Sequence, residues 1–288
     1  MEQKKLRMQE LVELLNKASK AYYQDAAEIM SNFEYDKLYD ELLALEQELG
    51  ITMANSPTVN VGYEVLSELP KERHEKPMLS LDKTKEISRL KEFLGNQKAR
   101  ISWKLDGLTI VLTYRNGELA KAVTRGNGEV GEVITNNAKT FKNLPLRIAY
   151  QGELILRGEA IISYSDFEKI NAEIEDVDAK YKNPRNLCSG SVRQLNNEIT
   201  AKRSVRFYAF SLVKASLDGI EKDWDNDKEN QYTFLKEQGF EIVDYLRVTP
   251  DTILDGISDF EKKITDYDIP SDGLVITLCD IEYAKSLG

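Results

Sequence analysis

The dipeptide Asn116-Gly117 does more than any other feature to limit the folds open to this chain. Residues 108–115 before it and 118–125 after it alternate apolar and polar side chains. That period of two belongs to half-buried strands. A two-residue connection between such strands needs positive φ at both positions, which Asn and Gly tolerate. The segment therefore predicts an antiparallel β-hairpin. Further strands are expected at 153–162, 205–213, 240–248 and 273–279. Helices are expected at about 165–175, opened by Ser165 with Glu168, and at about 227–238, closed by Gly239.

The first seventy residues follow a different period. Leu11, Leu14, Leu15, Ala18 and Tyr22 fall at helical spacing within 4–24, and Tyr35, Leu38, Leu42 and Leu45 do so within 32–49. Ser31 with Glu34 reads as a capping box and Gly50 as a stop, which makes a helical hairpin. A boundary near Leu69-Pro70 divides the chain into a small helical domain, 1–70, and a domain with antiparallel sheets, 71–288. The fold class is α+β.

Hydrophobic residues make up 41% and charged residues 31% of the 288, which suits a soluble globular chain. No apolar run approaches the ~20 residues a membrane span requires. Two cysteines, Cys188 and Cys279, and one histidine, His74, cannot make a four-ligand zinc site, and no metal ligands are assigned. Free thiols and the lack of a secretory start suggest the cytoplasm. The net charge of −10 weakly disfavours nucleic acid as a partner. Yet residues 180–206 hold seven basic side chains and one acidic, Glu198. That stretch is either a solvated loop and strand edge or a surface that meets phosphates.

The segment Ile101-Ser102-Trp103-Lys104-Leu105-Asp106-Gly107 puts a lysine inside an apolar strand. An unpaired ammonium there costs several kcal/mol to bury. It must either pair with a carboxylate or become neutral and nucleophilic. Asp106, two residues on, would face the same side of an extended strand. Arg125-Gly126-Asn127-Gly128, Arg157-Gly158-Glu159 and Ser271-Asp272-Gly273-Leu274-Val275-Ile276 follow in order. Each alone is an ordinary turn or strand end.

Together they resemble the motif series of the covalent nucleotidyltransferases, whose domain is ATP-grasp-like with antiparallel sheets. Tyr22-Tyr23, Glu34-Tyr35-Asp36, Asn55-Ser56-Pro57-Thr58, His74 to Leu81, Asn183-Pro184-Arg185-Asn186 and Gly190 to Leu195 narrow this. They look like the bacterial NAD-dependent DNA ligases, over essentially the whole chain. The resemblance implies that Lys104 is the nucleophile that becomes AMP-lysine, with Asp106 orienting the ribose and Glu159 binding ribose or supporting the metal-assisted step. Arg125 would contact the nucleotide, and Ser80 and Leu81 would line the adenosine pocket. Tyr22, Tyr23, Asn32, Glu34, Tyr35 and Asp36 would form the site for the nicotinamide mononucleotide (NMN) half of NAD. Arg185, Arg193 and Lys202 would meet phosphates of nucleotide or DNA.

Some positions depart from the family's usual pattern. Ser102 stands where a glutamate reads the adenine amino group, Asn32 replaces an acidic residue, and Thr277 replaces a strand lysine. Glu132 is followed by Val133 where an acidic residue is usual. Even so, Ser102 and Thr277 are taken as cofactor-site positions. The resemblance implies NAD and magnesium as cofactors, a nicked DNA duplex as a weakly bound partner, and a monomer. It also implies that the chain is the adenylation piece of a longer ligase. An ATP- or GTP-using relative would leave the N-terminal hairpin without a task. A non-catalytic nucleic-acid-binding relative would be consistent with the changes at Ser102, Asn32 and Thr277.

Overall fold

The computed structural model describes residues 1–288 except Pro77, Leu79, Ser80, Asp82 and Gly288. The chain opens with helices α1 (Glu2–Gln24) and α2 (Asn32–Leu49), then β1 (Thr52–Met53), β2 (Lys71–Arg73) and α3 (Ile87–Leu94). Next come β3 (Ala99–Leu105), β4 (Leu108–Arg115), β5 (Glu118–Thr124), β6 (Val130–Glu132), α4 (Thr135–Ala138), β7 (Pro145–Arg147) and β8 (Glu153–Ile161). Helices α5 (Tyr164–Glu173), α6 (Pro184–Val192) and α7 (Asn197–Ala201) precede β9 (Arg206–Leu217) and β10 (Ile220–Glu221). The chain continues through α8 (Lys228–Glu237), β11 (Tyr245–Val248), α9 (Ile253–Lys263), β12 (Ser271–Leu278) and α10 (Ile281–Ser286).

Two sheets set the architecture. The larger has the order β1-β7-β5-β4-β8-β9-β10, and the smaller has β11-β3-β12. Strands β2 and β6 form a separate pair. Every ladder between these strands is antiparallel. The mixed α+β class read from the sequence is the class observed.

The hairpin at Asn116-Gly117 forms as expected. Arg115 faces Glu118 across the turn, and Asn116 and Gly117 have φ of 52° and 80°. Ser31 accepts a hydrogen bond from the Glu34 N–H at 3.1 Å, and Gly50 ends α2 with φ 67°. Other boundaries differ. Helix α5 is capped by Ser163, not Ser165, because Ser163 Oγ accepts the Asp166 N–H while Ser165 turns its hydroxyl to Asp268. The strand expected at 240–248 is regular only over β11, since Phe240 and Val243 bury their side chains from an irregular segment. The basic stretch at 180–206 is mostly the helices α6 and α7, the first opened by the Asn183 cap and by Pro184 in its first turn.

Three apolar cores hold these layers. One lies under the large sheet, where Ile110, Leu112, Leu154 and Leu156 meet Leu187 of α6 and Leu235 of α8. A second packs Ile101 and Trp103 of β3 against Leu94, Ile253 and Phe260. A third joins Met8, Leu11 and Leu15 of α1 to Leu42 of α2, with Ile51 and Met53 beneath. The first two cores meet where β3 passes into β4 through Asp106 and Gly107. A Cβ on Gly107 would sit 1.9 Å from the Ala160 carbonyl oxygen, so only glycine allows this crossing.

Candidate active site

A cleft of about 1230 Å³ opens between the two sheets. On β3, Ser102 and Lys104 share a face because they are two residues apart, and both line the cleft. The Lys104 ammonium donates to both carboxylate oxygens of Asp272, at 3.0 and 3.1 Å. The sequence offered Asp106 as the neighbouring carboxylate on the same face. The β3 strand ends at Leu105, however, and Asp106 instead pairs with Arg185 at 3.6 Å. Asp272 takes the place beside Lys104 because the β12 register slips between Ser271 and Leu274, which inserts extra chain opposite β3.

Glu159 lies across the cleft floor, on β8, facing Thr109 of β4. Its Oε1 accepts the Thr109 hydroxyl at 2.6 Å and its Oε2 accepts the Gly107 N–H at 3.2 Å. Burial pushes its carboxyl up to about 7, although these hydrogen bonds and Lys104 oppose the shift. The site thus holds one carboxylate paired with an ammonium and another poised near neutrality.

Cations surround this pair. Arg125, Arg185 and Arg193 line the cleft. Arg125 stands at the end of β5, where its carbonyl accepts a bond from His74 Nε2 at 3.0 Å. Arg193 ends α6 and pairs with Glu132 at 2.7 Å. Leu81 and Thr277 also line the cleft. Ser80 lies outside the described residues. Lys202, exposed at the end of α7, is not among the cleft residues.

The helical hairpin stands apart. Tyr22, Tyr23, Asn32, Glu34, Tyr35 and Asp36 are not cleft residues. Tyr22 and Tyr23 are 56% and 82% exposed and meet edge to face, and Phe33 beside them is 80% exposed. Tyr35 is half-buried, stacked on Tyr39 and hydrogen-bonded to Ser19.

Several cleft residues were not marked as site residues by sequence reasoning. Asp272 sat inside a noted motif, but its pairing depends on the slipped register. Arg157 was noted as well; its Nε is buried without a partner among the described residues, and burial pulls its pKa down. Phe210 is an aromatic exposed on the cleft wall, in a strand whose bulges break the alternation that would have marked it. Among the described residues, no three His, Cys, Asp or Glu side chains converge to hold a metal. Around Lys104 the carboxylates of Asp272, Asp106, Glu159 and Glu132 are engaged by Lys104, by Arg185, by Thr109 with Gly107, and by Arg193. This donor set does not fit a resident ion held by protein alone. No helix among the described residues is long and apolar enough to cross a membrane.

Two antiparallel sheets close on a lysine ion-paired to one carboxylate, with a second carboxylate across the floor, a site suited to covalent nucleotidyl transfer onto the lysine. This chain belongs to the NAD-dependent DNA ligases: the family model for the NAD-dependent DNA ligase adenylation domain matches residues 66–288, and that for the DNA ligase-like N-terminal NAD+-binding domain matches residues 1–62. It is 64% identical to a DNA ligase of Ruminiclostridium cellulolyticum, over 98% of this chain and 42% of the relative. It is 62% identical to a DNA ligase of Lachnoclostridium phytofermentans, over 100% of this chain and 44% of the relative. The chain therefore spans less than half the length of these relatives. Among solved structures, an archaeal ATP-dependent RNA ligase overlaps 72% of this chain and 46% of its own at 15% identity, with a TM-score of 0.43.

Proposed function

We propose that this chain performs the adenylation step of NAD-dependent DNA ligation. Lys104 Nζ attacks the adenylyl phosphorus of NAD. A P–N bond forms, the P–O bond of the diphosphate bridge breaks, and NMN leaves with the electron pair on its phosphate oxygen. The observation that carries this reading is Lys104 itself, held at 3.0 Å by Asp272 in a cleft rimmed by arginines. The lysine must lose a proton to attack, and Asp272 is the acceptor already in contact. Glu159, near neutrality, is the second acceptor at hand. Asp106 and Glu159 orient the ribose, and Ser102, Thr277, Ser80 and Leu81 surround the base. Arg125, Arg185 and Arg193 offset phosphate charge with planar forks suited to it.

The exposed Tyr22 and Tyr23, with Asn32, Glu34, Tyr35 and Asp36, receive the NMN half. In this reading residues 1–70 form the NMN-binding unit and 71–288 the adenylation domain, with β1 of the first joining the large sheet of the second. The AMP then passes to the 5′-phosphate of a nicked duplex, with Arg185, Arg193 and Lys202 meeting backbone phosphates. Magnesium, in this reading, would accompany the substrate phosphates and offset their charge. The protein works as a cytoplasmic monomer.

Intact-mass spectrometry tests the reading directly. Incubation with NAD adds the mass of one AMP, Lys104→Arg abolishes the gain, and ATP does not substitute. Labelling by ATP as efficient as by NAD overturns the choice of donor, and an adduct mapped to another lysine overturns the nucleophile.

A further inference from the structure

One wall of the cleft carries a cation without a counter-charge among the described residues. Lys228 opens α8, is half-buried, and lines the cleft beside Tyr232, Thr277 and Lys285. The two carboxylates that flank it in the chain, and that of Asp280, are engaged elsewhere. Asp227 accepts the Glu229 N–H at 2.9 Å. Glu229 grips Arg100 at 3.1 and 2.9 Å and also Arg247 at 3.1 Å. Asp280 accepts from Asn226 at 2.8 Å and from the Tyr283 N–H at 2.9 Å. Among the described residues Lys228 forms no salt bridge.

Its surroundings reinforce the deficit. Burial pulls the Lys228 pKa below its ordinary value and Lys285 pulls it further, with only the Cys279 thiol acting the other way. Arg100, behind Tyr232, is not available to a ligand: it is sandwiched between the rings of Tyr232 and Tyr245, 3.6 and 3.2 Å from their centroids. Thr277, its register partner on β12, brings no charge. A desolvated cation without a partner costs free energy in the empty cleft, and an anion bound beside it removes that cost.

We infer that Lys228, with Lys285 at its outer side, forms a phosphate-binding subsite that holds the adenylyl phosphate from the α8 wall of the cleft. The inference rests on the reading of the cleft as an adenylation site. Two ammonium groups act as point charges that can follow a phosphate as it moves from diester to phosphoramidate, which a rigid guanidinium fork does less well.

Calorimetric titration of the 288-residue chain with AMP and, separately, with adenosine tests it. Lys228→Met should weaken AMP by about tenfold or more, the loss of one charge-assisted hydrogen bond, and leave adenosine within about twofold. Lys228→Arg should keep most of the AMP affinity. The ligand-free Lys228→Met protein should melt no lower than the parent, since a strained charge is gone, while its thermal shift with AMP shrinks. Unchanged AMP affinity in Lys228→Met, or an equal loss for adenosine, overturns the subsite but leaves the adenylation reading intact. A parent chain that neither binds AMP nor takes a label from NAD overturns both.

Discussion

Lys104 of β3 and Asp272 of β12 form an ion pair that the slipped register of the small sheet creates, with Nζ 3.0 Å from Oδ1. Both side chains are partly open to the cleft, so the pair is accessible to a substrate and to solvent. It fixes the position of the lysine and at the same time places beside it a carboxylate that can take its proton.

Replacing Asp272 by Asn should therefore slow AMP labelling by about tenfold or more at pH 7, within the range for loss of a general base. Part of the rate should return near pH 9, where solvent hydroxide does the deprotonation. Initial labelling rates against pH check this. A faster rate at pH 7 would mean that Asp272 only restrains the lysine.

Glu159 makes a prediction about stability and pH. Burial lifts its carboxyl to about 7 from the 4.5 of an unperturbed glutamate. The folded state thus binds the proton more tightly than the unfolded one. The resulting stabilisation is complete below the unfolded value and is lost as pH rises through about 7. Glu159→Gln, neutral throughout, should gain stability relative to the parent at pH 8, by up to about 3 kcal/mol, and gain none near pH 4. Denaturant melts at the two pH values decide; an equal change at both would assign the effect to packing.

Arg100 of β3 and Glu229 of α8 form a second ion pair, with the guanidinium almost wholly buried at 3% exposure. Glu229→Gln should cost about 3–5 kcal/mol because it leaves that cation without its partner. The double change Arg100→Met with Glu229→Leu should cost less than Glu229→Gln alone. Urea melts of the single and double variants check the order.

The N-terminal hairpin separates binding from folding. Tyr22→Ala and Tyr23→Ala should lower labelling by NAD without moving the melting temperature, because both rings are exposed. Leu11→Ala, in the α1–α2 core, should cost about 2–5 kcal/mol and loosen the hairpin. A thermal shift scan run beside the mass assay distinguishes the two.

The sequence carried those parts of this molecule whose signals are local. The Asn116-Gly117 turn, the Ser31 cap and the Gly50 stop each depend on residues a few positions apart, and each stands as expected. The motifs around Lys104, Asp106, Arg125, Glu159, Arg185 and Arg193 converge on one cleft. What stayed hidden depends on distant partners. The choice of Asp272 over Asp106 beside Lys104 follows from a bulge more than 160 residues later in the chain. Helix α9 was missed although Ile253, Gly256 and Phe260 carry its buried face, because Gly256 reads as a break until Val248 and Ile101 are seen packed against it. Lys228 was invisible for a similar reason, since its isolation results from partners that its neighbours find elsewhere.

The position of β3 in the small sheet has a consequence for how the protein comes into being. Among the described residues its ladder neighbours are β11 and β12, both far along the chain from it. On the ribosome, β4 and β5 can close their hairpin as soon as both have emerged, but β3 must wait until β11 (Tyr245–Val248) and β12 (Ser271–Leu278) have been made. Through that interval Ile101, Trp103 and Leu105 form a naked apolar edge, the kind of segment that chaperones bind and aggregates recruit. Closing a loop of that length is also slow. Refolding from denaturant should then restore the hairpin's circular dichroism well before it restores a reactive lysine, so that catalytic competence reports the last contact made.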